Sequence, residues 1–426
     1  MKSMTKDFCF NRALFIHCMV HSLNLGVKDA IQGIRVIKDA IDNCHETIKL
    51  VKGSPKKENI FKGIQLDEES DIKKNKLRTM CPTRFTVRGD AMDAILKNFS
   101  EIQQSLDEYY DLEKNTETKA RIAGVAAQYE KFDFLFGTHL GVLIFRHTDN
   151  LSRTLQGKHM SALQGKEVAR SVTNTLQDLL SDDQFNLFWE QVKADASRLS
   201  VGDPVLPRKR KVPAKLSDYF HKKAPQREVE NVSDHFKQFY MDAIHAATEH
   251  IKERFEQPDY EMYSNLEQLV LKAARGQPFK DEYDTVTKFY GSDLDPFLLQ
   301  TQLKSFHGEY HNRSENSNFS LMDIVEDFRA FKKDPNGQWK LDHYSQIVIL
   351  LKLILVLPAS NCTSERSFSA MKRIKTYLRT TMSQKRLNWL MILHVHKERT
   401  DKLSIERIVN LFVSRNEERL RIFGKC

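Results

Sequence analysis

Glu365 is the acidic side chain of this chain best placed to do chemistry. It stands in the string Pro358-Ala359-Ser360-Asn361-Cys362-Thr363-Ser364-Glu365-Arg366-Ser367-Phe368-Ser369, directly behind the most apolar stretch, 347–357. Pro358 ends whatever element precedes it, and Asn361, Thr363 or Ser364 offers an oxygen to cap the helix that follows. Helical spacing puts Phe368, Met371, Ile374 and Leu378 near one face, with Glu365, Ser369 and Lys372 on another. One carboxylate therefore projects from the first turn of a packed helix. From the residues alone, the plainer reading of this segment is helical core.

Two other constellations carry possible chemistry. Cys18-x-x-His21, with Cys9, His17, Cys44 and His45 nearby, has the residue types of a zinc site. A structural zinc site uses four ligands in two close pairs, and the adjacent Cys44-His45 is awkward for one tetrahedron. Cys18 and His21 are accordingly assigned packing and hydrogen-bonding roles, and no metal is assigned. The run Arg208-Lys209-Arg210-Lys211 reads as a nuclear-import or nucleic-acid patch, against the plainer reading of a solvated basic linker. No Gly-rich phosphate loop, Gly-x-Ser-x-Gly elbow or His-Glu-x-x-His motif is present, and no cysteine sits beside an obvious activating base.

The elements that must position these groups are helical. Glycine and proline are sparse, at 16 and 11 of 426 residues. Leu23, Val27, Ile31, Ile34, Ile37 and Ile41 recur in steps of three and four, one face of a helix over 20–48. The same spacing runs through Ala91, Ile95, Phe99, Ile102 and Leu106, through 162–180, and through Phe239, Ile244, Ile251 and Phe255. Leu387, Leu390, Ile392 and Leu393 form a further apolar helix, and Ile405, Ile408, Leu411 and Phe412 another. Strand-like alternation is confined to Leu14-Phe15-Ile16. Segments 52–75 and 202–225 read as a charged loop and a proline-containing basic linker, with polar breaks at 312–318 and at Asp334-Pro335-Asn336-Gly337. Trp189, Trp339 and Trp389 read as core or interface anchors. A net charge of +9 suits a polyanionic partner. Six scattered cysteines imply reduced thiols, and 347–357 is far short of the roughly 20 residues of a membrane span.

Ser364-Glu365-Arg366-Ser367-Phe368-Ser369, followed by Arg373-Ile374-Lys375-Thr376-Tyr377-Leu378-Arg379 and Arg386-Leu387-Asn388, resembles the C-terminal region of hAT-superfamily transposases. Ile16-His17-Cys18-Met19-Val20-His21 is similar to the family's Cys-x-x-His segment, where a core strand enters an inserted helical domain. Cys81-Pro82-Thr83-Arg84-Phe85-Thr86-Val87-Arg88 looks like its Thr-Arg-Trp segment, with Phe85 in place of tryptophan. The resemblance implies a mainly α fold: a helical insertion domain plus the C-terminal helices of an incomplete ribonuclease-H-like core. It divides the chain into a remnant strand and Cys-x-x-His segment (1–25), a first helical part (26–201), the linker (202–225), a second helical part (226–335) and a dimerisation region (336–426).

Residue by residue, the resemblance makes Glu365 the third catalytic acid. It gives Phe368, Leu378, Leu387, Leu390, Leu393, Ile408, Leu411 and Phe412 to dimerisation, and Arg84, Phe85, Arg88 and Arg208–Lys211 to nucleic-acid contact. The family's first two acids lie upstream of Cys-x-x-His, where this chain has only Asp7, so Glu365 is expected to be a relic and the chain not an enzyme. No cofactor is expected; magnesium belongs to a full-length active relative. The expected partner is a second copy, in the nucleus, with no membrane or small-molecule ligand. Two other readings stand beside this one: a fragment of an active transposase whose aspartates and zinc module lie elsewhere, and a non-specific DNA-binding protein. Changing Arg208, Lys209, Arg210 and Lys211 to glutamine is expected to abolish nuclear accumulation of a fluorescent fusion, and unchanged accumulation would exclude the import role.

Overall fold

In the computed structural model the described residues are 14, 18–67, 76–80, 88–157, 161–207, 231–314, 320–356, 362–376, 379 and 381–424, with backbone alone at 67, 311–314 and 362–366. They form helices and no strand. Of the strand-like Leu14-Phe15-Ile16, Leu14 has no regular structure and the other two lie outside the described residues. The chain divides into two compact units, Met1–Ala359 and Ser360–Cys426. The first contains α1 (Met19–Gly33), α2 (Arg35–Lys52), α3 (Pro55–Asp67), α4 (Arg88–Lys97), α5 (Phe99–Leu112), α6 (Thr116–Tyr129), α7 (Phe132–Leu155) and α8 (Ala162–Asp178). It continues with α9 (Asp182–Arg198), α10 (Val232–Phe255), α11 (Pro258–Ala274), α12 (Lys280–Tyr290), α13 (Pro296–Ser314), α14 (Leu321–Lys333), α15 (Gln338–His343) and α16 (Ser345–Val356).

The apolar face read over 20–48 is split between two helices. Ile34 adopts extended backbone (φ −104°, ψ 98°) and its N–H donates to the Ile31 carbonyl at 3.0 Å, closing α1. Gly33, a poor helix former, precedes the break. The split lets α1 lie on α10 while α2 lies on α7. In the same way the run from Ala91 to Leu106 divides at Asn98 into α4 and α5. The charged segment 52–75 was expected to be a loop, but it holds α3. Phe61 and Ile64, three residues apart, are buried on the side facing α5, and the Tyr109 hydroxyl donates to the Lys57 carbonyl at 2.6 Å. Lys57 and Gln65 add tertiary hydrogen bonds to Glu113 (3.1 Å) and Asn98 (2.5 Å), so buried anchors and side-chain bonds order a helix that composition reads as solvated.

Helix α7 is the hub of this unit and is buried along nearly its whole length. A Cβ at Gly137 would lie 2.3 Å from the Val36 carbonyl oxygen, so only glycine allows α2 to approach this closely. Around it, Phe132 and Phe136 meet Trp189 of α9 and Phe236 of α10, with ring centroids 4.8–6.2 Å apart. Tyr129 joins Phe99 and Phe134 on another side and donates its hydroxyl to Thr47 at 3.1 Å. The helices on both sides of 202–225 thus share one core, with α10 packed on α1, α7 and α8.

A second aromatic group, Phe306, Tyr310, Phe328 and Tyr344, gathers the helices that follow. There α16 buries Ile347, Leu350, Leu351 and Ile354, and the Tyr263 hydroxyl donates to the Ile354 carbonyl at 3.1 Å. The side chain of Gln302 accepts from Gln346 N–H at 2.8 Å near the α16 start. The turn at 334–337 falls between α14 and α15 as expected. No helix among the described residues is long and apolar enough to cross a membrane.

Two buried carboxylates bear on stability. Glu267 of α11 accepts from the N–H groups of Ala162 (3.0 Å) and Leu163 (2.8 Å), tying α11 to the first turn of α8. Burial pushes its carboxyl above the usual range against those donors. Asp149 of α7 is pushed up to about 7, chiefly by burial, with Arg153 opposing and Asp90 reinforcing the shift; Gly89 N–H and Arg88 also oppose it. A Cβ at Gly89 would meet an Asp149 carboxylate oxygen at 2.7 Å, so α4 and α7 pack at contact here.

Glu267→Ala is expected to cost about 2–4 kcal/mol in urea unfolding by stranding two helix N–H groups, and Glu267→Gln, which keeps an acceptor, clearly less. The folded state favours protonated Asp149, so its contribution falls as pH rises from the unfolded value of ~3.9 through 7. Asp149→Asn is therefore expected to raise stability at pH 8, by on the order of 2 kcal/mol, and to leave it nearly unchanged at pH 4.

Candidate dimerisation surface

The second unit contains α17 (Cys362–Ile374), α18 (Gln384–Val395), α19 (Lys397–Thr400), α20 (Ile405–Ser414) and α21 (Glu417–Phe423). Local chemistry sets their starts. Ser383 accepts from Arg386 N–H, Ser404 from Arg407 N–H and Asn416 from Glu418 N–H, each satisfying a donor that the helix itself leaves open. At the other end of α21, Gly424 takes φ 74°, a left-handed cap suited to glycine. The unit is two helical pairs, α17 with α18 and α20 with α21.

Its interior is thin. Ala370, Leu387 and Val413 are the apolar side chains buried among its described residues, with Met371, Ile374, Leu390 and Met391 half-buried. Outward the surface is strongly apolar. Ile405, Ile408, Val409 and Phe412, at i, i+3, i+4 and i+7, form the stripe by which an amphipathic helix packs on a core. Here they are 77%, 49%, 40% and 50% exposed. Trp389, Ile392 and Leu393 make a second outward stripe on α18.

The rims are cationic. The Arg419 guanidinium lies 3.9 Å from the Phe412 ring centroid and donates to the Phe412 carbonyl at 3.3 Å, and the Lys385 ammonium lies 5.2 Å from the Trp389 ring. These contacts hold the two large rings beside cations while leaving much of each exposed. Covering these outward stripes with another apolar surface gains about 1.5–3 kcal/mol per large side chain buried.

The dimerisation residues read from sequence divide by burial. Leu387 is inside and Leu390 half-buried, whereas Phe368, Leu393, Ile408, Leu411 and Phe412 are exposed; Leu378 lies outside the described residues. Ile405, Val409, Trp389 and Ile392 complete the outward stripes. Their spacing was visible in the sequence, but an apolar stripe reads the same whether it faces a core or water. Glu365 falls in the first turn of α17, with its side chain outside the described residues. No group of three His, Cys, Asp or Glu among the described residues is arranged to hold a metal ion.

Of the candidate nucleic-acid residues, Arg88 alone falls among the described residues. Arg84, Phe85 and Arg208–Lys211 lie outside the described residues. Arg88 opens α4 half-buried, its guanidinium shifted down by burial with Asp149 opposing. Cys18 is buried just before α1, and His21 is exposed on it. Cys44 is buried in α2, its thiol pushed up to about 12 by burial against a hydrogen bond with Thr138. Trp189 is a core anchor, while Trp339 and Trp389 are exposed.

Comparison with known proteins follows this geometry. Residues 338–398, which include α18, match the family model described as the hAT family C-terminal dimerisation region. Across a longer span the chain is similar to the protein named 52 kDa repressor of the inhibitor of the protein kinase. It is 21% identical over 370 residues to the Mus musculus protein, covering 83% of this chain and 45% of that protein. To the Homo sapiens protein it is 21% identical over 434 residues, covering 96% and 52%. The chain thus spans about half the length of the curated relatives it matches. Residues 338–398, which hold the outward stripe of α18, are thus similar to the C-terminal dimerisation region of the hAT family.

Proposed function

We propose that this chain is a transposase-derived regulatory protein that pairs with a second copy of itself through its C-terminal helices, and that it performs no strand transfer by itself. The observation that carries the reading is the stripe Ile405, Ile408, Val409 and Phe412, a core-type helix face turned to solvent. The family match, over residues 338–398, ends before this stripe and supports self-association through α18. A two-fold pair presents the same patch from both copies, so a continuous apolar stripe is self-complementary by construction. The α18 stripe adds further apolar side chains toward the roughly 1,000 Å² or more that a stable interface needs.

The regulatory part of the proposal rests on the relatives' name, repressor, and carries a nuclear location with it. Glu365 is assigned no catalytic step in this reading, because no group of three His, Cys, Asp or Glu among the described residues is arranged to hold a metal ion. Its chemistry would in any case need a cation held by further carboxylates.

Sedimentation of the full chain at micromolar concentration is expected to show a dimer. The double change Ile408→Glu and Phe412→Glu is expected to raise the dissociation constant at least about 100-fold, since two buried apolar contacts become buried charges. Helicity should be retained, because both side chains are exposed in the single chain. A monomeric parent chain, or a dimer indifferent to both changes, would refute the proposal.

A further inference from the structure

The charge of this protein is segregated. Residues 360–426 carry 15 Lys and Arg against 6 Asp and Glu, while residues 1–359 carry 51 of each, so the entire net charge of +9 belongs to the C-terminal unit. Within it, no acidic residue occurs from Arg366 to Lys397. Lys372, Arg373, Lys375, Arg379, Lys385 and Arg386 are all exposed, and none forms an ion pair among the described residues. The first unit offers the contrast. Its exposed cations are repeatedly paired, as in Lys97–Asp93, Arg146–Asp93 and Arg153–Asp90. An unpaired, acid-free cationic surface beside the helices proposed to self-associate has a direct consequence. Pairing two copies brings two units of +9 together, and their repulsion opposes what the apolar stripe favours.

We infer that the exposed cations Lys372, Arg373, Lys375, Arg379, Lys385 and Arg386 bind a linear phosphate polymer, and that occupancy promotes self-association of the C-terminal unit. The inference rests on the proposed self-association and names its regulation. A chain of phosphates bound across both copies neutralises the cations that repel, and its displaced counterions contribute to affinity. Because it interacts more strongly with the pair than with the single chain, it must shift the equilibrium toward the pair, and pairing must tighten its binding by the same factor. The same charges set an unusual response to plain salt. Screening shortens from ~30 Å at 0.01 M to ~3 Å at 1 M, so salt should strengthen association.

The test is sedimentation velocity of the full chain across sodium chloride concentration, and at low salt with inorganic polyphosphate or a short DNA duplex added. Association is expected to tighten at least about tenfold from low to high salt, and to tighten at low salt on addition of the polymer. Whichever polymer acts at lower concentration identifies the source of the phosphates. The variant Lys372→Gln, Arg373→Gln, Lys385→Gln, Arg386→Gln should associate more tightly than the parent at low salt and lose the polymer response, gains that a misfolded variant would not show. Association that is indifferent to salt or weakened by it, or that responds to neither polymer, overturns the inference while leaving self-association standing. A chain that stays monomeric under every condition overturns both.

Discussion

Nearly every helix here has one apolar face, and water imposes a free-energy cost on leaving that face uncovered. In the first unit the cost is met internally. Helix α7 is enclosed by α2, α4, α8, α9 and α10, and the aromatic side chains Phe132, Phe136, Trp189 and Phe236 fill the space between three of them. Close approach at Gly137 and Gly89 brings α2 and α4 onto the same hub. In the second unit the requirement is unmet among its own described residues. Four of its helices have five or more residues of regular structure, yet three apolar side chains are buried among its described residues. A small helical unit with so little interior lacks the means to be stable alone. The apolar surface that would supply the rest faces outward, and a second copy of the same surface is the partner proposed for it.

Electrostatics and packing pull in opposite directions in that unit. The apolar stripes favour association, while a charge of +9 confined to 67 residues disfavours it. Elsewhere the balance is different. The buried carboxylates of Glu267 and Asp149 are held by N–H donors and neighbouring arginines, so their cost is local and constant at a given pH. The long-range repulsion of the C-terminal unit instead depends on ionic strength and on polyanions, which gives the proposed assembly a means of regulation that short-range packing lacks.

Much of the helical content was legible from periodicity. Leu23, Val27 and Ile31 lie buried on α1, and Ile244, Ile251 and Phe255 on α10, as their spacing requires. The apolar stretch 347–357 reads as core and largely forms α16, whose inner face is buried. What periodicity missed were interruptions and short ordered pieces. Ile34 breaks a continuous stripe because α1 and α2 have different partners, and α3 forms in a charged segment because Phe61 and Ile64 reach α5. Neither partner is near in sequence.

The sequence by itself determined the helical class, the local starts set by Ser383 and Ser404, and the C-terminal string that resembles the hAT family. These depend on residues within a turn or two of one another, through 3.6-residue periodicity and side-chain capping. Only the tertiary structure decided which apolar faces are covered. Leu387 and Ile408 are alike in type and in helical setting, yet one is buried and the other half exposed. Burial is set by which distant helices arrive to cover a face, and around Ile408 none of the described helices does so.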